Sequence, residues 1–185
     1  MTFEQTQIDD VYLHTPEIFN DSRGSFFESF RQADLPHSFK PFSVAQVNNS
    51  VSNRGVIRGI HLKTNPPGQR KFVSVSAGAV FDVALDMRIT SPTFGKWQGF
   101  VLSQENSLSL LIGNGIGHSF LSLEDGSRVT YLCDTPYEPQ MEFGINPFSA
   151  GIDWLGALGD HPVDFKLSEK DAEAPTLAEF ASSND

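Results

Sequence analysis

Between residues 43 and 133 the chain repeats one signal: short runs in which apolar and polar residues alternate, spaced at roughly ten-residue intervals. Residues 79–88 show it best, with Phe81, Val83, Leu85 and Met87 alternating with Asp82, Ala84, Asp86 and Arg88. Residues 43–49 place Gln46 and Asn48 on one face, 57–62 form another run, and 71–76 put Lys71, Val73 and Val75 together. Residues 97–103, 107–112, 117–123 and 128–133 follow, between turn-rich pieces such as Ser91-Pro92-Thr93 and Glu124-Asp125-Gly126. A side-chain period of two belongs to a strand and not to a helix. The pattern predicts an all-β sandwich or barrel, with no sustained helical period before residue 165.

Beyond it, Ser168 is placed to cap a short turn through Glu169, Lys170 and Asp171, which Pro175 stops. Thr176 then heads Thr-Leu-Ala-Glu, a capping box for a brief helix around 177–182. With no repeat and no linker, residues 1–185 read as one domain.

Composition narrows the function. A formal net charge of −10 argues against a nucleic-acid surface, which would need a basic face. It still permits a phosphorylated small molecule, because a few cations lining a cleft set the local potential. Cys133 is the only cysteine, so an intrachain disulfide is impossible and a reducing compartment is expected. The opening Met1-Thr2-Phe3-Glu4-Gln5 is unlike a signal peptide, and no run approaches the length of a membrane span. The expected location is the cytoplasm.

The chemistry concentrates in Arg58-Gly59-Ile60-His61, with Lys71 ten residues on. An imidazole can take a proton near neutrality, and fixed cations beside it can hold an anionic substrate or a developing enolate. A lone histidine is more often a bonded core residue, but the flanking cations favour a functional role here. If 57–62 is a regular strand, His61 shares a face with Gly59 and Ile57, and Gly59 leaves open space beside the ring. The histidines at 14, 37 and 161 sit in loop-like sequence. A metal-binding jelly roll gathers a close His-x-His pair, but residue 63 is Lys, so no metal is expected. Tyr131 is read equally well as a packed ring or as a proton donor opposite a base. Gln46 and Asn48 suggest a polar strip inside a barrel. Arg23 alone reads as a solvated turn residue, Cys133 as a small buried hydrophobe, and Asp82 and Asp86 as structural.

In order along the chain, Phe19-Asn-Asp-Ser-Arg-Gly-Ser-Phe-Phe-Glu28, Gln46-Val-Asn48-Asn-Ser50, Arg58-Gly-Ile-His61 and Gln69-Arg-Lys71 resemble the dTDP-4-dehydrorhamnose 3,5-epimerases. Phe81-Asp-Val-Ala-Leu-Asp-Met-Arg88, Gly117-His118, Tyr131, Tyr137-Glu-Pro, Trp154 and Leu167-Ser-Glu-Lys-Asp171 extend the likeness to about Pro175. The resemblance implies a dimeric, cofactor-free, cupin-like jelly roll (a double-stranded β-helix) with short C-terminal helices. Its implied reaction inverts C3 and C5 of dTDP-4-dehydro-6-deoxy-D-glucose to give dTDP-4-dehydro-L-rhamnose, in rhamnose biosynthesis. By that resemblance His61 is the base, Asp171 orients it, Tyr131 is the acid, and Lys71 stabilises the enolate. Arg23 and Arg58 clamp the diphosphate and Tyr137 stacks on thymine. Glu28, Gln46, Asn48, His118, Glu142 and Lys170 match positions that contact substrate.

Some positions depart from the pattern. Leu62-Lys63 stands where many members carry an aromatic residue and Gln, and Gly113-Asn-Gly-Ile-Gly-His118-Ser-Phe lacks the usual proline. Asn146-Pro147 replaces Asp-Pro, and Leu155 follows the tryptophan in place of proline. The loop Thr64-Asn-Pro-Pro-Gly-Gln69 and the Gly117-His118-Ser119 variant are similar to the branch that epimerises one carbon in antibiotic-sugar pathways. Single epimerisation at C3 or C5 is therefore the alternative. The rivals from other classes are a metal-dependent cupin oxygenase and a non-catalytic sugar-binding jelly roll.

Overall fold

The alternating runs become antiparallel ladders in two facing sheets. The computed structural model describes residues 2–183 apart from 65, 67 and 162. One sheet has the order β1 (Thr2–Gln5), β2 (Val11–Thr15), β10 (Ser109–Ile112), β7 (Lys71–Ala77), β12 (Ser127–Cys133), β5 (Gln46–Ser52). The other has the order β13 (Glu142–Gly144), β6 (Ile57–Lys63), β11 (Ile116–Ser122), β8 (Ala79–Asp86), β9 (Trp97–Ser103). From β5 to β13 the chain changes sheet at every step except β8 to β9, the winding of a jelly roll. A hairpin of β3 (Ile18–Asp21) and β4 (Gly24–Phe27) stands apart from both sheets.

Between the sheets lie Val73, Val75, Leu110, Ile112 and Val129 from one side and Val80, Ala84, Leu102, Ile116 and Phe120 from the other. The period of two sends the intervening residues outward, and those faces are covered too. Phe72 and Leu111 pack under Leu35, Phe39 and Phe42. Ile57, Ile60, Val83, Leu85 and Leu121 pack under Trp154, Ile152 and Leu158. Double coverage explains why β8 is buried along nearly its whole length although Asp82 and Asp86 lie on it. Asp86 binds Arg88, Ser91 and Thr93, which holds its carboxyl down to about 2 despite burial, the structural role expected of it.

The C-terminal caps form as expected. Ser168 accepts the Asp171 N–H at the head of α2 (Glu169–Ala172), and Thr176 with Glu179 closes the capping box of α3 (Leu177–Ser182). Three local expectations need correction. β5 begins at Gln46 instead of 43 and runs to Ser52, because its register is set by β12 and not by its own alternation. β10 begins at Ser109, since the Asn106 side chain closes a turn onto Ser103 and Leu108. His14 belongs to β2 and is fully buried, not in a loop. As expected, no sustained helix precedes residue 165 among the described residues; the one-turn helix α1 (Trp154–Leu158) is too short to show a period, and the Asp153 cap holds it.

Candidate active site

β6 changes face partway along. His118 pairs with His61, but Phe120 pairs with Arg58, so three steps on β6 match two on β11. The extra residue turns both Arg58 and His61 into the cleft between the sheets, whereas strict alternation would oppose them. Ile57 packs with Ile60 and Leu62 in the outer cluster. Gly59 opens no space beside His61. It adopts φ +110, and a Cβ there would lie 2.5 Å from the His118 carbonyl oxygen. Its lack of a side chain lets β6 press onto β11.

The cleft has a volume of about 600 Å³. Arg58, His61 and His118 enter it from the β6–β11 side, Lys71 and Tyr131 from β7 and β12 of the opposite sheet. Glu142, Tyr137, Lys170 and Asp171 complete the set that the structure brings together.

His61 Nε2 and Asp171 Oδ1 lie 2.6 Å apart. Burial works to raise the Asp171 carboxyl, but the bond and charge of His61, the Ser168 cap and the Gly59 N–H outweigh it and hold the group below its usual range. A second pair, His118 Nε2 with Asp82 Oδ2 at 2.9 Å, is buried beneath the cleft. Lys71 is buried, and loss of solvent pulls its ammonium below the ordinary lysine range, with Cys133, Glu142 and Asp82 acting against that. Burial pushes the Tyr131 phenol up, so it keeps its proton at neutral pH. The Cys133 thiol is pushed up to about 11 by burial, in keeping with a small buried hydrophobe.

Gln46 and Asn48 do not line the cleft wall. They hydrogen-bond each other at 2.8 Å; Gln46 accepts the Tyr137 N–H and Asn48 pairs with Tyr131 across the ladder. Arg23 and Glu28 are elsewhere. Arg23 is ion-paired with Asp21 on the exposed hairpin, and Glu28 with Arg31. The lining also includes Ser50, Phe143 and Lys166, which were not picked out as site residues. Ser50 closes the run Gln46-Val-Asn48-Asn-Ser50 that carried the resemblance, and Lys166 adjoins Leu167-Ser-Glu-Lys-Asp171. Among the described residues no three His, Cys, Asp or Glu side chains gather as a metal-binding group. Among the same residues no helix is long and apolar enough to cross a membrane.

An imidazole backed by a carboxylate, a protonated phenol from the other sheet and a desolvated ammonium thus share one cleft. That combination suits proton transfer at a carbon beside a carbonyl.

Residues 5–179 match the family model described as dTDP-4-dehydrorhamnose 3,5-epimerase. The chain belongs to this family. It is an isomerase of the dTDP-sugar epimerase type. A dTDP-4-dehydrorhamnose 3,5-epimerase from Mycolicibacterium smegmatis is 43% identical over 180 residues, covering 97% of this chain and 87% of the relative. The rmlC epimerase of Mycobacterium tuberculosis superposes with a TM-score of 0.92 at 37% identity, covering 100% of this chain and 92% of the other. ChmJ, a 3'-monoepimerase from Streptomyces bikiniensis solved with dTDP-quinovose, superposes at 0.90 with 38% identity, covering 97% and 89%. The fold is the cupin fold of these epimerases.

Proposed function

We propose that this epimerase inverts both C3 and C5 of dTDP-4-dehydro-6-deoxy-D-glucose, giving dTDP-4-dehydro-L-rhamnose. The observation that carries the reading is the single cleft to which one sheet contributes His61 with Asp171 and the other Tyr131 with Lys71. Both carbons flank the C4 ketone, so loss of either proton gives an enolate. His61 removes the proton from one face, with Asp171 orienting the ring and stabilising its charged form. Tyr131 returns a proton from the other face. The Lys71 ammonium stabilises the enolate oxygen; removing one such preorganised donor typically costs about 3–4 kcal/mol. Arg58 and Lys170 hold the diphosphate, Tyr137 stacks on the base, and His118 and Glu142 orient the sugar, while Gln46 and Asn48 act from behind the wall, Gln46 holding the Tyr137 N–H and Asn48 facing Tyr131 across the ladder.

The functional unit is a homodimer. Arg23 and Glu28 match substrate-contacting positions yet lie outside their own chain's cleft, at the turn and just past the end of a hairpin whose Phe19 and Phe26 are 56% and 67% exposed. A second copy of the chain covers these rings, and the hairpin brings Arg23 and Glu28 to the partner's cleft. Mixing Arg23→Ala with His61→Ala subunits tests this: mixed dimers recover activity that neither variant has alone. No recovery in dimers shown to have exchanged subunits would rule the arrangement out.

Inversion of C3 alone is the second reading, favoured by the likeness to ChmJ and by the 64–69 loop, of which positions 65 and 67 lie outside the described residues. NMR of the 4-keto sugar nucleotide in deuterated buffer separates the two. Deuterium at both C3 and C5 supports the double reaction, and deuterium at C3 only supports the single one.

A further inference from the structure

Lys63 closes β6, and its side chain is wholly buried at 0% exposure. It does not line the cleft. Its Nζ donates to the Pro136 carbonyl oxygen at 3.0 Å and to Glu138 Oε1 at 2.6 Å. Those two acceptors flank Tyr137 in sequence, and the Tyr137 N–H itself donates to Gln46 Oε1 at 2.7 Å. Upstream, Gln69 Nε2 donates to the Thr135 carbonyl oxygen at 2.8 Å. The backbone on both sides of Tyr137 is therefore pinned, while the residue stays 53% exposed and lines the cleft.

A buried ammonium is costly unless paired, and an apolar residue packs such a position equally well. What a cation adds here is directional hold on two acceptors at once. A ring that is already in place needs no ordering when a flat ligand stacks on it, and saved ordering appears as affinity.

We propose that Lys63 is a positioning residue. It fixes the Pro136–Glu138 backbone so that the Tyr137 ring stands ready for the nucleobase, and it sets affinity for the nucleotide half of the substrate while taking no part in proton transfer. This rests on the functional reading above, in which Tyr137 receives the base.

The test is calorimetric titration of dTDP, alongside kcat and KM, for the wild type, Lys63→Met, Glu138→Gln and Tyr137→Ala, and for Lys63→Met combined with Tyr137→Ala. Lys63→Met raises the dTDP Kd and the KM about tenfold with kcat retained, since hydrogen bonds from a charged donor are lost. In the Tyr137→Ala background the same change adds nothing further. General loosening of the fold would lower kcat through a smaller active fraction and leave Kd unmoved. Should Lys63→Met fold poorly, Glu138→Gln, which keeps the Pro136 contact, shows the same split in smaller measure. An unchanged dTDP Kd in folded Lys63→Met, or in Glu138→Gln if Lys63→Met does not fold, would overturn the proposal; so would an equal loss in the Tyr137→Ala background. A wild type that binds no dTDP and epimerises nothing would instead overturn the functional reading itself.

Discussion

His61 Nε2 lies 2.6 Å from Asp171 Oδ1, although 110 residues separate the two. The capped turn of α2 presents the carboxylate and the bulge in β6 presents the ring. Because Asp171 is held below its usual range, it stays ionised across the pH range in which an imidazole titrates, and it can fix the ring's tautomer throughout. Asp171→Asn keeps the shape but loses the charge. It should lower kcat by about 10² to 10⁴ while dTDP binding is retained, measured by steady-state kinetics and calorimetry.

Lys71 supplies a second handle. On the proposed mechanism, Lys71→Met removes the cation that stabilises the enolate oxygen and should lower kcat by about 10² to 10³. Burial depresses its ammonium, so the charged form is lost as pH rises through that lowered value. Wild-type kcat should therefore fall on the alkaline side before an ordinary lysine would titrate, and a pH–rate profile reads this directly.

A third expectation concerns stability. His14 is buried against Phe3 and Phe72, and neither ring nitrogen has a hydrogen-bond partner among the described residues. Desolvation lowers it from 6.5 to about 4. The unfolded chain then binds the extra proton between those values, so this residue costs no stability above pH 7 and progressively more as pH falls. At pH 5 the loss from this one residue is about 2 kcal/mol. Thermal melts at pH 7.5 and pH 5 should differ less in His14→Phe than in the wild type.

The features legible in sequence are those set locally. The capping box of α3 depends on Thr176 and Glu179 alone, and alternation is a property of each strand by itself. The face on which His61 points was misread because the bulge belongs to β6 and β11 together, and Gly59 gave no sign of the close approach that requires it. Lys63 was noticed as a departure from the family pattern; its burial follows from the return of the Pro136–Glu138 segment, 73 residues away. Arg23 and Glu28 were recognised by resemblance, but within one chain they pair with Asp21 and Arg31 outside the cleft.

The central claim is that hydrogen leaves the substrate to His61 and returns from Tyr131. Solvent-deuterium incorporation and stereochemical inversion, followed together by NMR on the 4-keto sugar nucleotide, test it through two variants. His61→Asn should abolish both. Tyr131→Phe should keep exchange, because the base still works, while inversion falls by about 10² to 10⁴. Exchange persisting at the wild-type rate in His61→Asn, or undiminished inversion in Tyr131→Phe, would contradict the account.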